Sequence, residues 1–205
     1  MRVIPGTPPT KKTKANMSQN TSHAVVGFRT QALLQGDVQV SADPDLVITT
    51  MLGSCVAACM WDEVAGIGGM NHFLLPGNDP NSRGAVKEGV HAMELLVNGL
   101  IQSGASRDRM KVKLLGGSKM FDSRIDVGAK NAEFAMWFVR NEGFDLIDCC
   151  LGGQRGRNIR FWPVGGRIQR RFMNDAKIVL EETAQASARR RAGNQKDHAG
   201  EVQLF

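Results

Sequence analysis

The sequence predicts a single domain of the α/β (α+β) class, with strands first and then alternating helices and strands. Three observations support this class. The chain has 205 residues, which is enough for one well-buried core. Apolar residues recur at helical spacing over 85–102 and 128–141. Short apolar runs bounded by Gly, Pro and Asp fill most of the remainder, as is typical of strands.

The first half of the chain is predicted to consist mainly of strands. Apolar and polar side chains alternate over 24–40, which indicates one or two edge strands, and Leu46–Thr50 has the composition of a buried strand. Residues 56–61 are either a strand or a buried helical turn, because periodicity does not separate the two. A glycine-rich run over 66–70 then precedes a strand at 72–76 that ends at a proline.

The second half is predicted to alternate between helices and strands. Residues 77–83 have the composition of a loop and precede the helix at 85–102. The elements expected after that helix are a strand at 111–115, a helix at 128–141, strands at 145–151, 158–164 and 167–173, and a helix at 176–188 capped by Asp175.

The positive charge of the chain is concentrated at its two ends. The formal net charge is +6, of which residues 1–22 carry +4 and residues 184–205 carry +2. We therefore predict a basic N-terminal tail at 1–22, a neutral folded domain at 23–183 and a basic C-terminal tail at 184–205. A nucleic-acid-binding fold would carry its charge on a structured face, so no nucleic-acid partner is expected.

The four cysteines and the absence of export signals indicate a cytoplasmic protein. No two cysteines form a Cys-x-x-Cys pair, and the N-terminal residues contain no apolar stretch of signal-peptide length. No apolar run approaches the length of a membrane span, so membrane insertion is not expected. The thiols should be reduced in this compartment, and a cysteine can then serve as a nucleophile.

Cys55 is the candidate nucleophile because it follows a predicted buried strand at a tight Gly53-Ser54 turn. Such a turn lifts a side chain out of the sheet and directs the backbone N–H groups around Gly53 and Ser54 at a shared point, as in an oxyanion hole. A thiol is only slightly ionised at neutral pH, so a nucleophilic cysteine needs a base within hydrogen-bond reach.

His72 is the candidate base, since it lies on the next ordered segment after Cys55 and follows small residues. The other histidines are poorly placed, in or beside the tails or on a predicted helix: His23, His198 and His91. A third group must hold the imidazole ring. Thr49 and Thr50 both lie on the strand that leads into Cys55, and either hydroxyl can reach the ring.

The alternative to a catalytic role is that the cysteines have only structural roles. A buried cysteine is commonly an inert apolar side chain, which fits Cys59 among small residues and the pair Cys149 and Cys150 at the end of an apolar strand. A zinc site built on Cys55, Cys59, His72 and one of the pair Cys149 and Cys150 would have poor ligand spacing. No metal and no cofactor are therefore expected.

Several motifs in a consistent order resemble the CheD family of chemoreceptor glutamine deamidases. Thr49 to Ala57 is similar to the family pattern T-x-LGSCV, and Gly68 to Pro76 is similar to GGM-x-HFLLP. Further similar segments follow at Lys113 to Met120, Val127 to Asn131 and Leu151 to Arg157.

The resemblance extends from about residue 25 to 175 and implies a catalytic cysteine and histidine assisted by a threonine. The first two fall on Cys55 and His72. The threonine falls on Thr49 or Thr50, with Thr49 favoured. Because alternate side chains of a strand face opposite ways, only one of them should point into the site.

The resemblance also implies the fold, the substrate and a partner. The implied fold is a three-layer α/β/β sandwich, similar to the catalytic domain of the glutamine-deamidating cytotoxic necrotizing toxins. The implied substrates are glutamine side chains of methyl-accepting chemotaxis receptors, and the implied partner is a CheC-type phosphatase. The competing interpretations are a cysteine peptidase, a transglutaminase-like acyl transferase and a non-catalytic adaptor.

Two glycine-rich loops are candidates for the rim of the site. They cover 116–117 and 152–156, and the second carries Arg155 with Arg157 just beyond it. Turn glycines and surface arginines explain the same residues equally well.

Overall fold

A computed structural model describes residues 27–75, 83–120 and 125–173. Both predicted tails, the predicted helix at 176–188 and most of the loop at 77–83 lie outside these residues. The strands of the described part are β1 Arg29–Ala32, β2 Val38–Ser41, β3 Leu46–Leu52, β4 Val56–Asp62, β5 Ile67–Asn71, β6 Lys111–Gly116, β7 Asp145–Leu151, β8 Arg157–Trp162 and β9 Arg167–Phe172. The helices are α1 Arg83–Gln102 and α2 Val127–Asn141, with a short 3₁₀ helix at Arg107–Arg109. No helix in these ranges is both long and apolar enough to cross a lipid bilayer.

The strands form two sheets. The smaller sheet has the order β1-β3-β8-β9, and the larger sheet has the order β2-β5-β4-β6-β7. The β1–β3 and β6–β7 pairs are parallel, and the other pairs are antiparallel. Helix α2 connects the parallel strands β6 and β7, as expected for a crossover between parallel neighbours.

The two sheets and the helices stack as three layers. The larger sheet is covered on one face by α1 and α2 and on the other by the smaller sheet. Strand β4 lies in the middle of this stack and is buried along its whole length. Alternate residues of β4 serve the two cores: Ala58 and Met60 pack toward the helices, whereas Ala57 and Cys59 pack toward the smaller sheet. The expected three-layer α/β/β arrangement is confirmed.

The strand expected at 72–76 is replaced by a strand several residues earlier. Strand β5 is the glycine-rich run itself, and beyond Asn71 only Phe73 forms a bridge, with Val56. Close packing explains the composition of β5. A Cβ on Gly68 would meet the Pro163 carbonyl oxygen at 2.2 Å, so only glycine fits at this position of the strand. Gly68 therefore marks a close approach, whereas Gly66, with a φ of 65°, belongs to the turn before β5.

The end of β4 is fixed by a buried carboxylate. Asp62 is fully buried and accepts hydrogen bonds from Arg109 at 2.7 Å and from the backbone N–H groups of Ser106, Val64 and Ala65. The guanidinium and these N–H groups hold the pKa of the Asp62 carboxyl well below its usual range. Asp62 thereby connects β4 to the segment before β6.

Replacing Asp62 with asparagine is expected to lower the free energy of unfolding at pH 7 by about 2–3 kcal/mol, the scale of hydrogen bonds to a charged group. Because the pKa of Asp62 is lower in the folded chain than in the unfolded chain, its stabilisation is complete above the unfolded pKa of about 4 and declines as the pH falls further. Urea unfolding of both proteins between pH 7 and pH 3 should show the difference shrinking toward the acid end. Glu63→Gln, which breaks only an exposed pair with Lys111, is the matched control and should change stability little. A difference between wild type and Asp62→Asn that stays constant with pH would contradict the expectation.

Candidate active site

Cys55 lies in the tight turn between β3 and β4, and hydrogen bonds to its backbone carbonyls hold this turn in place. The carbonyl of Gly53 accepts from the Ser118 N–H at 2.8 Å, and the carbonyl of Cys55 accepts from the Gly117 N–H at 2.8 Å. The carbonyl of Ser54 accepts from Asn131 Nδ2 at 2.9 Å. Three consecutive carbonyls of the turn are thus held by one scaffold, formed by the segment after β6 and by α2.

Asn131 connects the two halves of the site, a role that the sequence analysis did not assign to it. The residue is fully buried on α2, and its Oδ1 accepts from the Leu75 N–H at 2.8 Å while its Nδ2 donates to Ser54. One amide therefore contacts the residue before Cys55 and a residue shortly after His72. Its signals in the sequence are its place in the motif segment Val127 to Asn131 and an asparagine on the apolar face of a helix, and neither says what it contacts.

The glycines at 116–117 lie behind Cys55 and do not form a rim. Gly116 has a φ of 117°, and a Cβ on it would meet the Cys55 carbonyl oxygen at 2.1 Å. Arg157 is also misassigned as a rim residue, because its side chain is fully buried and donates to the backbone carbonyls of Gly116, Cys150 and Gly152. Gly116 and the Arg157 side chain therefore support the Cys55 turn from inside the protein. Arg155 is exposed and stacks on Phe172.

His72 faces the same side of the larger sheet as Cys55. The antiparallel register pairs Cys59 with Met70 and continues through the bridge between Val56 and Phe73. In this register Cys55 and His72 are diagonal neighbours, a separation that an imidazole ring spans. Both side chains are buried, with exposed fractions of 3% and 2%. The structure therefore brings the predicted nucleophile and the predicted base together.

Thr50 is the threonine that contacts His72. Its Oγ1 lies 2.9 Å from His72 Nδ1 and 2.8 Å from the carbonyl oxygen of Leu33. A hydroxyl has one hydrogen and a carbonyl only accepts, so this hydrogen is donated to Leu33. Toward the ring Thr50 must then accept, which places the hydrogen of the neutral imidazole on Nδ1 and leaves the lone pair on Nε2. The threonine thus selects the histidine tautomer that can act as a base through Nε2.

The preference for Thr49 as the third residue is corrected. Side chains of β3 alternate, and Leu46, Ile48 and Leu52 lie on the same face as Thr50, toward the larger sheet. Thr49 points to the opposite face, and its hydroxyl contacts the Gln31 carbonyl at 3.4 Å. Its side chain therefore lies on the far side of β3 from His72.

The connection from β1 to β2, residues Leu33–Asp37, contacts all three members of the site. Leu33 receives the Thr50 hydroxyl, the Gly36 N–H donates to the His72 carbonyl, and the Asp37 carbonyl accepts from the His72 N–H at 3.2 Å. The Cys55 thiol lies 3.5 Å from Oε1 of Gln35. The sequence analysis assigned no role to this segment, because no motif marks it.

Cys59, the thiol that follows Cys55 in the chain, does not take part in this arrangement. Cys59 is fully buried, and burial raises the pKa of its thiol, so it stays protonated. Cys59 lies on β4, four residues along an extended chain from Cys55 in the preceding turn, which separates the two by about 13 Å and prevents them from binding one zinc ion. Among the described residues, no three His, Cys, Asp or Glu side chains are grouped closely enough to bind a metal ion.

Comparison with known families gives one consistent match. Residues 74–172 match the family model described as CheD chemotactic sensory transduction. This stretch begins just after His72 and runs to the end of β9.

Many curated proteins are similar over most of their length. A protein of Agrobacterium fabrum named probable chemoreceptor glutamine deamidase CheD is 49% identical over 166 residues, which is 79% of this chain and 92% of the relative. A protein of the same name from Caulobacter sp. strain K31 is 47% identical over 83% of this chain and 90% of the relative. One from Ruegeria sp. strain TM1040 is 43% identical over 87% and 91%. Alignments this long in a chain of 205 residues necessarily include the positions of Cys55 and His72.

Proposed function

The chain belongs to the CheD family, and from this we propose that it is a protein-glutamine glutaminase that hydrolyses glutamine side chains of chemotaxis receptors to glutamate. The observation that carries the chemistry is the hydrogen-bond chain from Leu33 through Thr50 to His72 Nδ1. It orients a basic Nε2 in a ring that shares a sheet face with Cys55. The catalytic residues of this proposal are Cys55, His72 and Thr50.

The first half of the reaction forms a thioester. His72 Nε2 takes the proton of the Cys55 thiol, and the thiolate attacks the carboxamide carbon of the substrate glutamine. The C–N bond then breaks, and the protonated His72 gives its proton to the departing nitrogen, which leaves as ammonia. The glutamine side chain is now a γ-glutamyl thioester on Cys55.

The second half restores the enzyme. A water molecule attacks the thioester carbon while His72 Nε2 accepts one of its protons. The C–S bond breaks, the thiolate of Cys55 regains this proton from His72, and the product is a glutamate side chain. One water is consumed and one ammonia is released per glutamine. The same thioester would form from a glutamyl methyl ester, with methanol as the leaving group.

The turn before Cys55 supplies the oxyanion hole in this proposal. Because the C=O and N–H of a trans peptide point in opposite directions, anchoring the carbonyls of Gly53 and Ser54 directs the N–H groups of Ser54 and Cys55 away from the scaffold. Such fixed N–H groups stabilise the negative charge that develops on the carboxamide oxygen. Gly53 and Ser54 contribute through the backbone of this turn.

The cellular setting extends the same proposal. The family resemblance suggests a CheC-type phosphatase as a second protein partner, and reduced thiols fit a cytoplasmic location where receptor signalling domains are accessible. The predicted tails at 1–22 and 184–205 are proposed to lie outside the catalytic domain.

The decisive experiment incubates the purified chain with soluble cytoplasmic fragments of chemotaxis receptors in heavy-oxygen water. We expect release of ammonia in equal amount to newly formed glutamate, with one solvent oxygen in each new carboxyl group. Peptide mass spectrometry locates the converted glutamines.

Three results would contradict the proposal. Incorporation of an added primary amine without heavy oxygen would indicate a transglutaminase-like acyl transferase. Cleavage of the receptor backbone would indicate a peptidase. Binding of the fragments with no release of ammonia would indicate an adaptor.

A further inference from the structure

The β1–β2 connection holds the site residues in a fixed frame. It passes from the smaller sheet to the larger one, and its own turn is closed by the Asp37 N–H, which donates to the Leu34 carbonyl at 3.0 Å. The Leu34 N–H in turn donates to the Asp37 carboxylate at 3.2 Å. Two further backbone hydrogen bonds fasten the connection to His72. The segment is therefore an ordered cover over the site, and its side chains have defined positions.

Gln35 is the residue of this cover that reaches the nucleophile. It is half-buried, whereas its neighbours Leu34 and Gly36 are exposed. Its Oε1 accepts a hydrogen bond from the Cys55 thiol at 3.5 Å. A primary carboxamide of a glutamine therefore lies against the sulfur, and this is the functional group that the enzyme is proposed to attack in its substrate.

We propose that Gln35 is a built-in stand-in for the substrate carboxamide, which caps the Cys55 thiol until a substrate glutamine displaces it. This inference rests on the proposed function, since it takes Cys55 as the nucleophile and glutamine as the substrate. In this proposal Gln35 takes no part in the chemical steps and acts only through its hydrogen bond with the Cys55 thiol.

The orientation of Gln35 explains why it is a cap and is not consumed. Attack requires the amide carbon to face the sulfur and the amide oxygen to lie at the N–H groups of the turn. In the structure the oxygen faces the sulfur and accepts its hydrogen. A hydrogen bond to the thiol form favours that form over the thiolate. The cap therefore keeps the resting enzyme weakly reactive toward small electrophiles.

The test measures alkylation of Cys55 by iodoacetamide as a function of pH, read at the Cys55 peptide by mass spectrometry so that the other cysteines do not interfere. Gln35→Ala should be alkylated about three- to tenfold faster at pH 7, the scale of losing one hydrogen bond. The pH of half-maximal rate should move downward. Gln35→Met keeps the bulk of the side chain without the acceptor, so it should show the same shift in pH and a smaller gain in rate. With receptor fragments as substrate, Gln35→Ala should lower KM.

The matched control is Gln31→Ala, which removes an exposed glutamine of β1 whose side chain contacts Gln39. Its alkylation profile should match that of the wild type. Unchanged or slower alkylation in Gln35→Ala, with circular dichroism showing a folded protein, would overturn the proposal. Conversion of Gln35 itself to glutamate in the wild type but not in Cys55→Ala would also overturn it, because Gln35 would then be a substrate. The alkylation assay needs no receptor, so failure of the cap is distinguishable from failure of the deamidase proposal.

Discussion

Cys55→Ala is expected to abolish conversion of receptor glutamines, with a fall in rate of roughly 10⁴-fold or more, as found when an acyl-transfer enzyme loses its nucleophile. The thioester cannot form without the sulfur, and the next thiol in the chain cannot replace it. Cys59 lies about 13 Å further along the extended chain, is fully buried, and has a pKa that burial raises. The rate is measured as ammonia release from receptor fragments at a saturating concentration of the fragments.

Cys59→Ala is the matched control for this loss. Both changes remove one sulfur from the same face of the larger sheet, but Cys59 is fully buried in the apolar layer between the sheets. Cys59→Ala should retain most of the wild-type rate after correction for the folded fraction. Thermal unfolding of Cys55→Ala should stay close to that of the wild type. A substantial rate in Cys55→Ala would remove Cys55 from the mechanism, and equal losses in the two variants would point to a structural effect.

The helices could be predicted from the apolar patterns of the sequence, and the three-layer arrangement from the motif resemblance. The two helices fall at their predicted places, since their apolar faces repeat at helical spacing. Residues 56–61 could not be assigned from periodicity because β4 is buried on both faces and its apolar run has no alternation. β5 was missed because glycine ordinarily disfavours strands. What overrides this preference is the approach of Pro163 to Gly68, a contact between residues far apart in the chain.

The candidate site was predictable at Cys55 and His72, where motif and elimination agree. The choice between Thr49 and Thr50 depends on which face of β3 points inward. The apolar pattern does not decide it, because Val47 and Met51 share the phase of Thr49 while Leu46, Ile48 and Leu52 share that of Thr50.

The contacts of Gln35 and Asn131 could not have been predicted from the sequence, although Asn131 ends one of the motif segments. Their contacts join residues that are distant in the chain: Gln35 reaches Cys55 20 residues away, and Asn131 reaches Ser54 77 residues away. Such contacts exist only once the sheets and α2 have packed. A positioning residue of this kind carries no local pattern, unlike a nucleophile at a tight turn.

Thr50→Val should lower kcat for glutamine conversion by about 10- to 100-fold, by analogy with the loss of the group that orients a metal-bound histidine. Valine has nearly the shape of threonine, so the change removes the hydroxyl and little else. His72 Nδ1 then loses its acceptor at 2.9 Å, and the tautomer with the lone pair on Nε2 is no longer selected. The expected signature is a fall in kcat with KM nearly unchanged, together with an altered dependence of kcat on pH.

The adjacent threonine provides a control that differs only in the face of β3 it occupies. Thr49→Val removes a hydroxyl whose contact is the Gln31 carbonyl at 3.4 Å, so the rate should stay within about twofold of wild type, as is usual for a surface change. Thr50→Ser restores a hydroxyl at the inner position and should recover most of the lost activity. Equal, mild effects of valine at the two positions would show that His72 does not depend on an oriented partner. A larger loss at Thr49 would require β3 to present its opposite face to the site. That arrangement would turn Leu46, Ile48 and Leu52 away from the apolar layer between the two sheets, in which all three residues pack.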